Sequence, residues 1–371
     1  MLAPPMIRAV EWRPLAQCAD ISDAWRALAA RAVEPNVFYE PAFALTAAPA
    51  FGPDVGALLA WAQDGRLAGL FPLRRRRLLL PMLTGWTHPF APLGTPLIDR
   101  DALAPTLDAV LDHVAADPRL PKLLALPLMR ADGPLAAALD VALAARGGRT
   151  RLFDAHERPL LKPGANAGEL LAQQRKKLER KRGKFGNLSY EIDGSPDGVA
   201  RALAEFLALE TRGWKGRAGT ATTQHADIER FVTGAVMGLA AEGKVLGARL
   251  DHDGAAIAAV LVLRSGDGAW GWKVAYDEGF SRASPGVRLV LEVSERLLAE
   301  DGLAFADSCA APGQPTFGSI WGERLAVADR LIAVTTSAPF ALACGIETMR
   351  RRLIATARAA RDHVRTLRAT R

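Results

Sequence analysis

Residues 188–334 switch their hydrophobic period in a fixed order, and that order limits the folds open to the chain more than any other feature does. Leu188 to Ile192 alternates apolar and polar, as a strand does. Ser195 then supplies an N-cap and Pro196 a first helical residue, and Val199, Leu203, Phe206 and Glu210 follow at helical spacing to about Arg212. Asp227 caps a second predicted helix, whose buried face runs through Ile228, Phe231, Val232, Ala235, Val236 and Leu239 and stops at Gly243. Three short strands come next, Val245 to Leu250, Ala255 to Leu263 and Ala269 to Tyr276, separated by Asp253-Gly254 and by Ser265 to Gly268. Turns this short require an antiparallel meander. A helix over Val287 to Glu300, a strand over Ala304 to Ser308, a short helix from Pro315 to Trp321 and a strand over Arg330 to Val334 complete the series.

A fainter copy of this order occupies the first half. Leu58 to Gln63, the turn Asp64-Gly65 and Leu67 to Leu73 form a hairpin resembling the one around Asp253-Gly254, and the two turns lie about half the chain apart. Leu103 to Ala115 reads as a helix, Leu123 to Leu126 as a strand, Leu135 to Arg146 as a helix and Thr150 to Phe153 as a strand. At 371 residues the chain suits two cores of ordinary size. A duplicated α/β (α+β) domain is the simplest account, each copy a mixed, mainly antiparallel sheet flanked by helices. We expect an N-terminal domain over residues 1–160, a second over 161–345 and a basic amphipathic tail helix over 346–371.

The net charge of +7 is unevenly spread. Arg175 to Lys184 holds seven basic residues against Glu179, and Arg350 to Arg371 holds eight arginines against Asp362, so the rest of the chain is mildly acidic. Basicity confined to two appendages argues against a broad nucleic-acid groove. The first ten residues, with Pro4 and Pro5, lack a basic region followed by an apolar core, so the expected address is the cytoplasm. Cys18, Cys309 and Cys344 lie far apart, which fits free thiols rather than a disulfide framework, and the six histidines show no ligand spacing, so no metal is expected. The longest uncharged apolar run, Leu331 to Ile346, is shorter than the roughly 20 residues of a membrane-spanning helix.

The segment Lys273-Val274-Ala275-Tyr276-Asp277 to Phe280, followed by Ser284-Pro285-Gly286 and a helix, resembles the tandem GNAT proteins related to the CelD-like acetyltransferases of polysaccharide biosynthesis, with the Fem-type peptidyltransferases as more distant relatives. The resemblance extends to Arg175 to Arg182, to Glu210 to Gly216 with Trp214 and Lys215, and to Asp307 followed by Trp321. It implies two tandem GNAT-like domains, the first degenerate and walling the acceptor cleft. It also implies transfer of an acyl group to an amine or hydroxyl, with acyl-CoA or acyl carrier protein as co-substrate and no permanently bound cofactor. The chain departs from the family at Ser281-Arg282-Ala283-Ser284-Pro285-Gly286, where a glycine-rich loop opening with Gln or Arg is usual, so an aminoacyl-tRNA donor of the Fem kind stays open.

Elementary chemistry points to the same segment. A helix start at Gly286, Val287 and Arg288 offers unpaired N–H groups to a phosphate, with Arg282 and Arg288 adding charge; the alternative is that Ser284 simply caps the helix. Acyl transfer needs a group to protonate the departing thiolate, and Tyr276 at the strand end is placed for it unless it is a packing residue. Asp307, closing a neighbouring strand, either orients the acceptor or caps a turn. Lys273 lies in an apolar strand, where an unpaired ammonium is costly, so it should face a cleft or an acid. Trp214 and Lys215 are candidates for the floor of the acceptor site, and His225 for a base or an exposed loop histidine.

The partners expected are therefore an acyl donor and a small-molecule or glycan-precursor acceptor, with nucleic acid excluded unless the donor is a tRNA. A noncatalytic membrane-surface accessory protein is the competing class. The stripe Ile346, Met349, Leu353, Ala357, Ala360, Val364 and Leu367, set among arginines, would either dock on the body or lie on an anionic membrane at the inner face.

Overall fold

Both Asp-Gly turns close hairpins, and the hairpins differ in a way their residues explain. A computed structural model describes residues 5–76, 79–180, 187–311, 315–318, 320–336 and 339–369. At Asp253-Gly254 both central residues have positive φ, 49° and 83°, the two-residue turn that Asp-Gly favours, and it joins β9 (Val245–His252) to β10 (Ala255–Ser265). In the first half, of Asp64 and Gly65, Gly65 alone is left-handed, and its N–H donates to Ala62 O at 3.0 Å, so the longer loop Gln63 to Arg66 joins β2 (Val55–Ala62) to β3 (Leu67–Arg76).

The other strands are β1 (Ile7–Pro14), β4 (Met82–Gly85), β5 (Leu97–Ile98), β6 (Leu123–Arg130), β7 (Arg149–Leu161), β8 (Leu188–Asp193), β11 (Gly268–Tyr276), β12 (Phe305–Asp307) and β13 (Glu323–Ala333). Together they make one sheet, in the order β1-β2-β3-β4-β6-β13-β7-β12-β11-β10-β9-β8, with β5 beside β3. The order is palindromic. Two antiparallel hairpin arrays, β1 to β4 and β8 to β11, each end in a parallel neighbour, β4 with β6 and β11 with β12. Each half then passes its final strand to the other: β13 pairs with β6, β7 pairs with β12, and β7 and β13 pair along the centre from Glu323–Leu160 to Ala333–Arg149. The tandem mixed sheets thus join edge to edge.

Helices cover both faces. α2 (Pro41–Phe51), α6 (Pro196–Arg212) and α8 (Ala226–Ala241) share a core drawn from both halves, in which Phe43 and Phe231 meet edge to face at 5.3 Å. Beneath them, the buried carboxylate of Glu40 accepts from Lys244 Nζ at 2.9 Å and Ser265 Oγ at 2.5 Å, a polar tie between the halves. α3 (Leu103–Ala116) and α4 (Pro134–Ala145) back the first half. α5 (Ala165–Glu179) and α9 (Pro285–Leu298) back the second. α1 (Ser22–Ala30) adds Trp25 and Leu28 to the shared core and α10 (Pro315–Gly318) adds Phe317 to that of the second half, whereas α7 (Trp214–Arg217) and α11 (Phe340–Ala369) are peripheral.

The helix signals mostly act as read. Ser195 Oγ accepts from Gly198 N at 3.1 Å, and Val199, Phe206 and Glu210 lie on the buried face of α6. Two caps differ. α8 starts at Ala226 after His225, which leaves Asp227 inside the first turn, where its charge suits the helix dipole. α9 starts at Pro285, and Ser284 ahead of it makes no side-chain cap but adopts a left-handed conformation with φ 54°.

Candidate active site

A β-bulge sets the site. Leu261 on β10 pairs with Lys273 while Val262 pairs with Gly271, so Trp272 is the extra residue on β11. Side chains normally alternate between faces, and the bulge breaks the alternation there. Trp270, Trp272 and Ala275 join the core shared by the halves, whereas Ala269 and Val274 join the core under α9. Lys273 is turned onto the same face as Trp272, and its ammonium lies 3.9 Å from the centroid of the Phe90 ring and 5.2 Å from that of Trp272. Tyr276 falls on the opposite face, against the start of α9.

Phe90 comes from the first half. Its carbonyl accepts from Trp272 Nε1 at 2.8 Å, and Pro92 O accepts from Arg158 Nη2 at 3.0 Å, so the loop over Lys273 is held by second-half β11 and central β7. Burial pushes the Lys273 ammonium down to about 8; Lys215 adds repulsion, and Glu210 and Cys309 partly counter it. Among the described residues no acceptor hydrogen-bonds this ammonium, so the aromatic rings are its partners. In the same loop His88 stacks on Phe51 at 4.2 Å, and burial, with Arg74 and Lys273 nearby, pushes its imidazole down to about 3 and keeps it neutral.

A cleft opens where α6 ends beside the end of β11, lined by Glu210, Trp214, Lys215, Ala275, Tyr276 and Glu278 among others. Glu210 is the anchor. Its carboxylate accepts from Lys215 Nζ at 2.6 Å and from Thr222 N at 2.8 Å; burial alone would raise it, but these two partners outweigh burial and hold it below the usual carboxylate range. Glu278 accepts from Trp214 N at 2.8 Å and pairs with Arg217, which fixes α7 across the cleft mouth. Gly216 is required there, since a Cβ would sit 1.7 Å from Thr211 O. Trp214 is 60% exposed and Tyr276 43%, so both aromatic surfaces are open to a ligand.

Tyr276 lies directly against the start of α9, where a Cβ on Gly286 would stand 3.3 Å from its ring. Among the described residues the N–H groups of Gly286 and Val287 have no acceptor, and Arg282 is exposed beside them. Arg288 is engaged differently: it is buried, and it donates to Ala283 O at 2.8 Å and Leu178 O at 2.6 Å, so it braces the turn before α9 against α5. Arg175 on α5 pairs with Glu292 and Glu295, while residues 181–184 of the basic run lie outside the described residues.

Asp307 is fully buried at the end of β12, away from the cleft lining. It accepts from Cys309 N at 2.9 Å and faces Arg158 Nε at 3.4 Å; burial raises its carboxyl, and Arg158 only partly opposes this. Cys309, left-handed with φ 53°, has its thiol pushed well up by burial and by Asp307. β12 pairs with β11 only from Gly268 to Trp270, so among the described residues that edge of β11 has no strand neighbour beyond Trp270. His225 is exposed, with Nε2 3.1 Å from Gly219 O. Among the described residues no group of three His, Cys, Asp or Glu is placed to hold a metal.

Of the sequence candidates, Trp214, Lys215 and Tyr276 thus line one cleft, the start of α9 lies against the Tyr276 ring, Lys273 projects from the face of β11 opposite to Tyr276, and Asp307 and His225 stand apart. Sequence reasoning gave no role to Phe90, Arg158 or Glu278. For Glu210 a signal was present, an acid at the apolar positions of α6.

Residues 172–312 match the family described as "Acetyltransferase (GNAT) domain". A comparison with curated proteins finds no match. Among solved structures the fold is shared with FemX (12% identity, TM-score 0.58, covering 86% of this chain and 98% of that one). It is shared too with a conserved protein from Bacteroides thetaiotaomicron (12%, 0.55, 87% and 99%). The third is the C-terminal domain of a putative lysylphosphatidylglycerol synthetase from Agrobacterium fabrum (15%, 0.55, 89% and 96%). At such identities the likeness is one of fold, and it spans both halves. The segment carrying Glu210, Trp214, Lys215, Lys273, Tyr276 and the start of α9 thus lies within the residues that match the GNAT acetyltransferase domain.

Proposed function

We propose that the chain transfers an acyl group from a thioester, acyl-CoA or acyl carrier protein, to an amine or hydroxyl of a small-molecule or glycan-precursor acceptor in the cytoplasm. The observation that carries this reading is the bulge at Trp272, which puts Lys273 on one face of β11 and Tyr276 on the other, beside a strand edge with no neighbour among the described residues. The donor's phosphates take the N–H groups of Gly286 and Val287 with Arg282 nearby, and its thioester lies along the open edge of β11. The acceptor enters between Trp214, Lys215 and the Phe90 loop.

Lys273, held near 8, is partly neutral at physiological pH and accepts the acceptor's proton as its nitrogen or oxygen attacks the thioester carbonyl. The new bond forms to the carbonyl carbon, the C–S bond breaks, and Tyr276 protonates the departing thiolate; Tyr276 then regains a proton from solvent and Lys273 returns the acceptor's proton to it. Asp307 acts through Arg158, which holds the Phe90 loop by Pro92 O. In this division the first half walls the acceptor cleft and does no chemistry of its own.

The test is thiol release from acyl-CoA and acyl-carrier-protein thioesters by the purified protein, with Lys273→Met and Tyr276→Phe as controls. We expect turnover that falls at least about a hundredfold in Lys273→Met; turnover unaffected by both changes refutes the assignment. An aminoacyl-tRNA donor is the second reading, favoured by the unusual loop before Gly286 and the fold shared with FemX. Activity abolished by ribonuclease selects it.

A further inference from the structure

α11 leaves the body with its apolar stripe turned outward. Leu342, Ile346, Met349 and Leu353 recur at steps of four, three and four, which places them in one narrow stripe of the helix. Leu342, Met349 and Leu353 are 57%, 57% and 65% exposed. The opposite side holds the body. Ala343 and Cys344 are buried, and Arg351, half a turn round from the stripe, donates to Asp329 Oδ2 and Glu347 Oε1, each at 2.6 Å, and pairs with Asp154. Arg350 and Arg352, both exposed, flank the stripe on either side. The pattern continues in sequence through Ala357, Ala360, Val364 and Leu367, with further arginines at 358, 361, 365 and 368. From Ile346 to Leu367 the helix runs about 32 Å.

We propose that this face of α11 lies flat on an anionic lipid surface, with Leu342, Met349 and Leu353 among the acyl chains and the flanking Arg350 and Arg352 at the headgroups. The charge pattern selects this occupant. Two copies of a segment carrying eight arginines against one aspartate would set like charges side by side, within the ~8 Å over which salt leaves them unscreened. A nucleic acid would neutralise the arginines but leave the stripe in water. An anionic bilayer satisfies both, each cation near it strengthening binding about fivefold. Among the described residues no helix is long and apolar enough to cross a membrane, so the contact is peripheral and reversible.

The test uses the full chain and needs no catalytic turnover, so it stands or falls apart from the acyl-transfer reading. Sedimentation with phosphatidylglycerol–phosphatidylcholine vesicles at low salt should give binding at least about tenfold stronger than to phosphatidylcholine alone, released near 1 M salt. Met349→Glu/Leu353→Glu, both at exposed positions that leave Arg351 in place, should weaken it at least about tenfold. Equal binding by variant and wild type, or none by either, overturns the proposal. So does a dimer in vesicle-free solution that the same substitutions dissolve, or binding to RNA without binding to vesicles.

Discussion

Replacing Lys273 by Met should make the protein more stable while abolishing its activity. The ammonium is pushed from the ordinary 10.5 down to about 8, chiefly by burial, which corresponds to about 3 kcal/mol of unfavourable charge burial at neutral pH. Its attraction to the rings of Phe90 and Trp272 returns about 1–2 kcal/mol of this, leaving a net cost of about 1–2 kcal/mol that an unbranched thioether of similar length does not carry. Between pH 8 and 10.5 the unfolded chain holds the proton and the folded one does not, so stability contributed at this site rises with pH across that window. The advantage of Lys273→Met should therefore be largest at pH 7 and shrink towards pH 10. Urea denaturation of both proteins at pH 7, 8.5 and 10, comparing midpoints at equal slope, measures it. A variant less stable than wild type at pH 7, or a difference that does not change with pH, would show that the ammonium is compensated and that Lys273 is a structural residue.

Other sites give sharper single readings. Gly286→Val should press on the Tyr276 ring and weaken donor binding about tenfold, ~1.4 kcal/mol, in calorimetric titration with the fold retained; unchanged affinity removes α9 from the donor site. Glu210→Gln should release Lys215 and lower thermal stability by about 1–3 kcal/mol with a fall in kcat/KM, and unaltered kinetics would confine Glu210 to a structural role. Arg158→Leu leaves Asp307 buried without its cation and should cost about 3–5 kcal/mol, an effect that Asp307→Asn in the same chain should largely relieve in chemical denaturation. His88→Leu should raise the acceptor KM more than it lowers kcat, and a collapse of kcat alone would place first-half chemistry at the site.

What could be read ahead of the structure depended on range. The second half was legible because its elements are announced locally: Ser195-Pro196 starts α6, Asp253-Gly254 dictates a hairpin, and a stripe of seven-residue spacing marks α11. The length of β7 was not legible. Thr150 to Phe153 alternates, but β7 runs on to Leu161 through His156, Glu157 and Arg158, polar residues that only the two central partners, β13 and β12, hold in a strand. No element before Leu58 was read; α2, for one, is apolar nearly all round and its helical period is hidden by burial from both halves. At the site, Tyr276, Trp214 and Lys215 could be named because they stand beside turns, whereas the aim of Lys273 depends on a bulge that no residue type signals. Phe90 lies far from Lys273 in sequence and meets it only through tertiary packing.

The exchange of final strands has a consequence for how the chain is made. β6 is complete at Arg130, but the strand that covers its outer edge, β13, begins only at Glu323. At roughly 5–20 residues per second the ribosome needs about 10–40 s to bridge that interval. For that time the first half carries an unpaired row of backbone N–H and C=O groups beside a hydrophobic face, the kind of edge on which nascent chains stick to one another. The same geometry means that cutting the gene between the halves would strand β7 without β12 and β6 without β13, so the two pieces should recover structure only when they are produced together.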